Sequence, residues 1–168
     1  MLRSASALIA DAFAGGGKLL ICGNGGSAAD SQHMAAEYIV RLHADDQRRP
    51  LPAIALTTDT SNITACANDL GFEKIFERQV RALGSRDDVF LGISTSGRSE
   101  NIVLAADAAT ESGMKTILLT GPQNAPSSPT VQIKVQGNNV RDIQMLHLFC
   151  EHIIVEMTLY LLSERGYI

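Results

Sequence analysis

Short apolar runs alternate with amphipathic segments along the whole chain. Continuous apolar runs are typical of strands buried on both faces, and apolar residues repeated every three or four positions are typical of helices packed on one side. The apolar runs predict strands over residues 19–22, 53–57, 88–93, 115–120 and 131–135. The amphipathic segments predict helices over residues 2–13, from the first turn to about 40, 72–83, 100–112 and 141–163.

Alternating strands and helices predict a parallel sheet covered on both faces, because parallel strands need crossover connections. The expected fold class is α/β: a three-layer αβα sandwich of the flavodoxin-like kind, with a central parallel five-stranded sheet in a single domain over residues 1–168. Residues 58–71 are expected to form a polar loop with at most one short helix, and the proline-rich residues 121–129 to be irregular.

The last predicted helix has more apolar residues than one stripe can hold. Leu148, Val155, Leu159 and Leu162 lie off the expected core stripe, so either the sheet and a neighbouring helix or another subunit must cover them. A homo-oligomer is therefore predicted, with this helix near an interface. The expected core stripe comprises Ile143, Leu146, Phe149, Ile153, Met157 and Leu161.

A glycine-rich turn follows the first strand, between residues 18 and 40. Asn24, Gly25 and Gly26 break the apolar run, and glycine permits positive φ and close approach of a ligand to the backbone. Ser27 is expected to cap the following helix, with Asp30 in its first turn. Open α/β sheets bind ligands at this end of their strands.

A second polar loop follows the third strand. Hydroxyls and unpaired helix amides there could surround a phosphate, or the side chains could only cap and turn the chain. Neither this loop nor the glycine turn matches a Walker or dinucleotide pattern, so a nucleotide is not favoured. The loop's hydroxyls belong to Ser94, Thr95, Ser96 and Ser99.

Two pairs of side chains have spacings that place them on one helical face. His33 and Glu37 are four residues apart, and Gln144 and His152 are eight apart. Each pair could bind a metal or transfer protons, but exposed pairs of this kind are common without either role. His147 and Glu151 are interpreted as solvated or interface residues, and Asn68-Asp69 as a turn where a substrate contact is plausible.

Composition narrows the possible partners. The 168 residues are 45% hydrophobic and carry 14 basic against 18 acidic side chains without basic blocks, so no nucleic acid is expected. No apolar run approaches about 18 residues, so no membrane span is expected. Cys22, Cys66 and Cys150 are odd in number and widely spaced, which fits neither a disulfide framework nor a CxxC site and favours a cytoplasmic protein.

Five motifs in order resemble the bacterial phosphoheptose isomerases of the sugar isomerase (SIS) domain superfamily, over residues 19–157. They read GNGGSAADSQHMAAE, PAIALTTDTS, ANDLGFEKIFERQVRALG, GISTSGRSENI and IQMLHLFCEH. The resemblance implies an aldose-ketose isomerase that converts sedoheptulose 7-phosphate to D-glycero-D-manno-heptose 7-phosphate, the first step towards ADP- or GDP-heptose for lipopolysaccharide core or other glycans. It also implies a cytoplasmic homotetramer with one Zn²⁺ per subunit.

The same resemblance implies roles for individual residues. Glu37 and His152 match the family's catalytic pair. Its metal ligands fall on His33, Glu37, Gln144 and His152. Its substrate contacts fall on Asn24, Gly25, Gly26, Glu37, Asn68, Asp69, Ser94, Thr95, Ser96, Ser99 and Gln144. The alternative function is a non-enzymatic SIS-domain protein that binds a sugar phosphate or associates with a replication initiator, and isomerisation of another sugar phosphate is a third possibility.

Overall fold

The computed structural model describes all 168 residues and contains one five-stranded sheet in which every neighbouring pair is parallel. The strand order is β2-β1-β3-β4-β5, the flavodoxin-like order. The predicted fold class is therefore confirmed. The strands are β1 (Leu19–Gly23), β2 (Ala53–Ala55), β3 (Val89–Ser94), β4 (Lys115–Thr120) and β5 (Val131–Lys134).

The central strands are buried on both faces, which explains their continuous apolar runs. In β1, Leu19 and Ile21 belong to one core cluster, whereas Leu20 and Cys22 belong to the cluster on the opposite face. Alternate side chains of a strand point to opposite faces, so each face of β1 contributes to a separate core. The sheet thus holds two helical layers together.

Six helices and one 3-10 turn cover the two faces. Helices α1, α2 and α6 contribute to the larger core, and α4 and α5 contribute to the smaller one. The helices are α1 (Leu2–Ala14), α2 (Gly26–Ile39), α3 (Thr60–Asp69), α4 (Glu77–Leu83), α5 (Glu100–Glu111) and α6 (Val140–Glu164), and the 3-10 turn is Phe72–Lys74.

The second crossover differs from the sequence prediction. The expected single helix over 72–83 is a 3-10 turn followed by α4, and Phe72 is exposed rather than on the apolar side. Ahead of it, α3 has no buried residue and occupies most of the expected polar loop. Its N-cap is Asp59, whose carboxylate accepts a hydrogen bond from the Asn62 amide at 3.0 Å, so a capping signal was present in the polar sequence.

The predicted core stripe of α6 is only partly correct: Ile143 is buried in the core and Leu161 packs against it, but the middle of the stripe is not buried. Phe149 is 63% exposed, whereas Ile154, Val155 and Leu162 are buried against the sheet and α1. The packed face also carries Thr158, which belongs to a buried hydrogen-bond network with α1. Because polar residues lie on the buried side, hydropathy alone favoured the other side.

Helix α6 is also long and apolar enough, by length and composition, to cross a membrane, and it is the one helix that passes this test. Core helices of globular folds pass the same test. Here 44% of its most apolar window is buried, and the helix packs along α1 and α2. Its hydropathy is therefore explained by core packing on one side and by the exposed apolar face on the other.

Candidate functional site

The sheet topology places a crevice between β1 and β3. The chain leaves β1 towards β2 on one side and returns to β3 on the other, so the connections diverge at this point. Ligands bind beyond the carboxyl ends of strands at such a switch point. The glycine turn follows β1 and the serine loop follows β3, so both predicted loops meet at this crevice.

The glycine turn begins α2 without a side-chain cap. Gly25, with φ of 57°, occupies the N-cap position, and the expected capping residue Ser27 is buried inside the first turn. The prediction that Ser27 caps the helix is therefore wrong, because the turn ends two residues earlier. A Cβ on Gly26 would lie 2.5 Å from Gln144 Nε2, so the Gln144 amide lies directly against this turn.

An asparagine pair connects the two loops across the switch point. Asn24 Nδ2 donates to Asn101 Oδ1 at 2.9 Å, and Asn101 Nδ2 donates back to Asn24 Oδ1 at 2.8 Å. Asn101 is buried in the first turn of α5 and was not singled out in the sequence. Its position two residues after the serine loop was the available signal. The pair fixes the spacing of the two loops.

The serine loop converges on the N-terminus of α5. Ser94 Oγ lies 3.0 Å from Ser99 Oγ and 3.4 Å from Ser96 Oγ. Ser99 is the N-cap of α5, but its hydroxyl makes no capping hydrogen bond, so the first helical amides lack a side-chain acceptor. Hydroxyls together with helix N-terminal amides form a site suited to an anion such as a phosphate.

Two histidines and a glutamate meet between α2 and α6. His33 Nε2 lies 2.9 Å from His152 Nε2, and the two rings are edge to face at 85°. His33 Nδ1 lies 3.6 Å from Glu37 Oε1. One potential ligand atom from each of the three residues lies within 4.8 Å of the others. Three of the four predicted metal ligands thus lie together: His33 and Glu37 on α2, and His152 on α6.

The chemistry of this triad fits a bound divalent metal ion. Glu37 Oε2 is buried and has no hydrogen-bond partner. A buried acceptor of this kind costs free energy unless a ligand or an ion binds to it. Two imidazoles and a carboxylate are typical zinc ligands. Histidine ring nitrogens facing each other, beside a carboxylate oxygen without a partner, are therefore suited to hold such an ion.

Three other predicted site residues lie outside the cluster formed by His33, Glu37 and His152. Gln144 precedes His152 by eight residues, about 12 Å along α6, and its amide lies beside the glycine turn. Asn68 and Asp69 are exposed at the end of α3, where Asn68 Nδ2 donates to Asp69 Oδ1 at 2.7 Å. Helix α3 packs mainly on the 3-10 turn, so these two side chains belong to a separate part of the surface.

Two titratable residues of α6 are buried, contrary to their interpretation as solvated or interface residues. His147 is 0% exposed and Glu151 is 1% exposed, and their side-chain nitrogens and oxygens have no hydrogen-bond partners. Burial lowers the pKa of His147. Burial, together with the charge of Asp30, raises the pKa of Glu151 to about 8. Both residues lie on the packed face, one helical turn apart, where sequence hydropathy gave no signal.

Comparison with known families supports the class that this fold and site indicate. The SIS domain profile matches residues 1–121. Solved structures of two phosphoheptose isomerases resemble the chain closely. The enzyme from Neisseria gonorrhoeae has a TM-score of 0.84 and 40% identity, over 94% of this chain and 84% of that one. The Francisella tularensis enzyme has a TM-score of 0.83 and 39% identity, over 92% and 85%.

Sequence relatives agree with the structural match. A phosphoheptose isomerase from Desulfovibrio desulfuricans is 46% identical over 167 residues, which is 98% of this chain and 79% of the relative. One from Nitratidesulfovibrio vulgaris is 48% identical over 155 residues, covering 91% of this chain and 74% of the relative. The chain belongs to the phosphoheptose isomerase family, whose members are aldose-ketose isomerases within the SIS domain class.

Proposed function

We propose that this enzyme isomerises sedoheptulose 7-phosphate to D-glycero-D-manno-heptose 7-phosphate. The observation that carries the proposal is the convergence of Glu37 and His152 between α2 and α6, in a fold whose serine loop is suited to a phosphate. Its family membership supports the substrate class. In the cell the product would supply ADP- or GDP-heptose for lipopolysaccharide core or other glycans.

The anchor for the substrate phosphate is the serine loop. The hydroxyls of Ser96 and Ser99 both lie within hydrogen-bonding distance of the Ser94 hydroxyl, and the positive end of the α5 dipole favours the phosphate charge. The glycine turn allows the sugar to approach the backbone. In addition to the serines, the proposed substrate contacts are Asn24, Gly25, Gly26, Thr95 and Gln144. Asn68 and Asp69 are included because they match the substrate contacts of the family in the sequence.

Glu37 is the proposed base for the carbon proton. Aldose-ketose isomerisation through a cis-enediol needs one group that carries a proton between C1 and C2. The buried, unpartnered Oε2 of Glu37 provides a free lone pair for that proton. The carboxylate then returns a proton to the neighbouring carbon, which completes the transfer.

His152 is the proposed carrier of protons on the two oxygens. Histidine is the side chain that most often acts as a general acid and base. His152 Nε2 lies 2.9 Å from His33 Nε2, and a ligand atom of His152 lies within 4.8 Å of a Glu37 carboxylate oxygen. The imidazole can therefore donate a proton to one sugar oxygen while it accepts one from the other.

Zinc is the proposed cofactor, one ion per subunit. His33, Glu37 and His152 would hold it, with Gln144 as the proposed fourth ligand. When bound, Zn²⁺ polarises the carbonyl and stabilises the negative charge on the enediolate oxygen. Glutamine is not among the usual zinc ligands, and the Gln144 amide lies against the glycine turn, so Gln144 would be the weakest of the four ligands.

The proposed assembly is a homotetramer in the cytoplasm. The exposed apolar face of α6 adjoins His152, so a neighbouring subunit that covered this face would also border the site. The three free cysteines, two of them buried, suit a reducing compartment.

The decisive experiment is turnover of sedoheptulose 7-phosphate by the purified, zinc-loaded protein, with product identified by NMR. Formation of the manno-heptose phosphate is expected, whereas fructose 6-phosphate and ribulose 5-phosphate should react far more slowly. Binding of the heptulose phosphate without turnover would instead support the non-enzymatic SIS-domain alternative, and preferential turnover of a hexose or pentose phosphate would change the assigned substrate.

A further inference from the structure

Arg48 is a buried cation whose side chain lies under the end of α2 that carries Glu37. It lies in the segment between α2 and β2, close to α2 in both sequence and space, and only 6% of its side chain is exposed. Burying a guanidinium is costly unless its donors are satisfied. Its contacts therefore indicate what the residue stabilises.

The guanidinium donates hydrogen bonds to carbonyls at the C-terminal end of α2. Arg48 Nη2 donates to the Glu37 carbonyl at 2.5 Å, and Nη1 donates to the Tyr38 carbonyl at 2.8 Å. The last four carbonyls of a helix lack intrahelical partners. No backbone amide beyond the helix donates to Glu37, in contrast to Tyr38, whose carbonyl also accepts from Leu51. Arg48 is thus the external partner of the Glu37 backbone.

Arg48 also lies close to an acidic residue of its own segment. Arg48 Nε is buried without a partner, as is Glu37 Oε2. Asp46 Oδ2 lies 3.8 Å from Arg48 Nε, and the same oxygen accepts from the amides of Leu42 and His43 at 3.2 Å. Arg48 and Asp46 thereby fold the connecting segment against the last turn of α2.

We propose that Arg48 is a positioning residue for Glu37. Its two hydrogen bonds to the carbonyls of Glu37 and Tyr38 fix the last turn of α2, from which the Glu37 carboxylate reaches His33 and His152. The inference rests on the proposed function for its catalytic consequence, but its effect on the geometry of the triad does not depend on the identity of the sugar.

The neighbouring arginine provides a matched control. Arg49 is exposed, and its guanidinium lies over the Tyr167 ring, 4.6 Å from the centroid, rather than against α2. Arg48→Met and Arg49→Met remove the same charge one residue apart. Arg48→Lys is made in parallel because it keeps the charge while it loses the planar fork that reaches two carbonyls at once.

The test is Co²⁺ binding to the metal-free, full-length protein, followed by its visible absorption. Loss of a residue that orients a metal ligand typically weakens metal affinity by about 10–100-fold. We expect a loss in that range for Arg48→Met, with an altered cobalt spectrum, an intermediate loss for Arg48→Lys, and wild-type affinity for Arg49→Met. Thermal unfolding of each metal-free variant reports separately on stability.

Kinetics with sedoheptulose 7-phosphate extend the test. Arg48→Met should lower kcat while KM stays within about threefold of wild type, because the serine loop is untouched. Wild-type cobalt affinity and spectrum in folded Arg48→Met would overturn the proposal; if that variant does not fold, the same result for Arg48→Lys would overturn it. If the wild-type protein itself does not turn over the heptulose phosphate, the proposed function fails, whereas the cobalt measurements still decide the role of Arg48.

Discussion

His33 Nε2 lies 2.9 Å from His152 Nε2, although the two residues are 119 positions apart in the chain. Two neutral imidazoles can share one hydrogen bond only if one ring donates and the other accepts. With Glu37 on the same face of α2, the arrangement concentrates electron-pair donors at one point. Only the packing of α2 against α6 brings these donors together, so the fold itself builds the site.

Replacement of His152 tests whether this cluster binds the metal. His152→Asn should lower zinc content per subunit and lower kcat together, because a ligand and the oxygen-proton carrier are lost in one change. Elemental analysis and turnover measure the two effects. His43→Asn is the control, since His43 is an exposed histidine that contacts Glu156 at 3.0 Å. Full zinc content in His152→Asn would show that the triad is not the metal site.

Replacement of Glu37 separates chemistry from binding. Glu37→Gln keeps the size of the side chain and removes the base, so turnover should fall by at least about 100-fold, the lower end of a typical general-base contribution. Exchange of the substrate C1 hydrogen in D₂O should fall in parallel. Calorimetric binding of the heptulose phosphate should largely survive, because the serine loop is unchanged. Wild-type exchange in the variant would mean that another group removes the proton.

The serine loop is tested by a double substitution. Ser96→Ala with Ser99→Ala should raise KM more than it lowers kcat, since the phosphate is bound equally in the ground and transition states. Steady-state kinetics with the heptulose phosphate measure the two parameters. Ser128→Ala removes an exposed hydroxyl from the loop after β4 and should leave both parameters unchanged. An unaltered KM in the double variant would contradict the phosphate assignment.

Much of this architecture follows from local sequence signals. Continuous apolar runs predicted all five strands, with β4 at its exact bounds, because strands between two helical layers must be apolar on both faces. The position of the site also followed, since the turns after β1 and β3 contain the glycines and hydroxyls. The roles proposed for His33, Glu37 and His152 came from the family resemblance, because the spacing of each pair alone is ordinary for a helix.

Other features depended on tertiary contacts that no local pattern encodes. The buried face of α6 carries His147, Glu151 and Thr158, so a hydropathy stripe identified the wrong side. Asn101 gains its role only because β1 and β3 are neighbours, which places it opposite Asn24. Arg48 resembles a loop arginine in the sequence, and only the return of its segment beneath α2 brings it to Glu37.

The surroundings of Asp88, which lies away from the site, predict that the stability of the protein depends on pH. Burial alone would raise the pKa of Asp88, but the amine and amide of Lys18 and the hydroxyl and amide of Ser85 lower it below its ordinary value of 3.8. A lowered pKa in the folded state gives stability that is present above the ordinary value and is lost as the pH falls through the folded pKa. The carboxylate should therefore stabilise the protein at neutral pH.

Asp88→Asn should lower the free energy of unfolding by about 1.5–3 kcal/mol at pH 7, the usual worth of hydrogen bonds to a charged group. Urea unfolding monitored by circular dichroism measures this difference, which should shrink as the pH falls below 3.8. Asp87→Asn is the control, because Asp87 is exposed beside it. A difference that stays constant down to pH 3 would show that the Asp88 charge is not responsible.

The exposed face of α6 predicts self-association. Met145 is 67% exposed and Phe149 is 63% exposed, and the half-buried Ile153 and Met157 continue the face towards Tyr160. An apolar surface of this extent on one helix is typical of an interface between subunits. A glutamate at its centre would bring a charge into that interface, which is costly without a partner.

Phe149→Glu should therefore convert the proposed tetramer to smaller species at micromolar concentration, measured by light scattering after size exclusion. Leu83→Glu is the control, because Leu83 is an exposed apolar residue at the end of α4 in the other layer. His152 lies next along the same surface, with Phe149 and Ile153 beside it. Dissociation should thus also lower turnover, and dilution of the wild-type protein should reproduce that loss. A wild-type protein that is fully active as a monomer would contradict both the assembly and its link to the site.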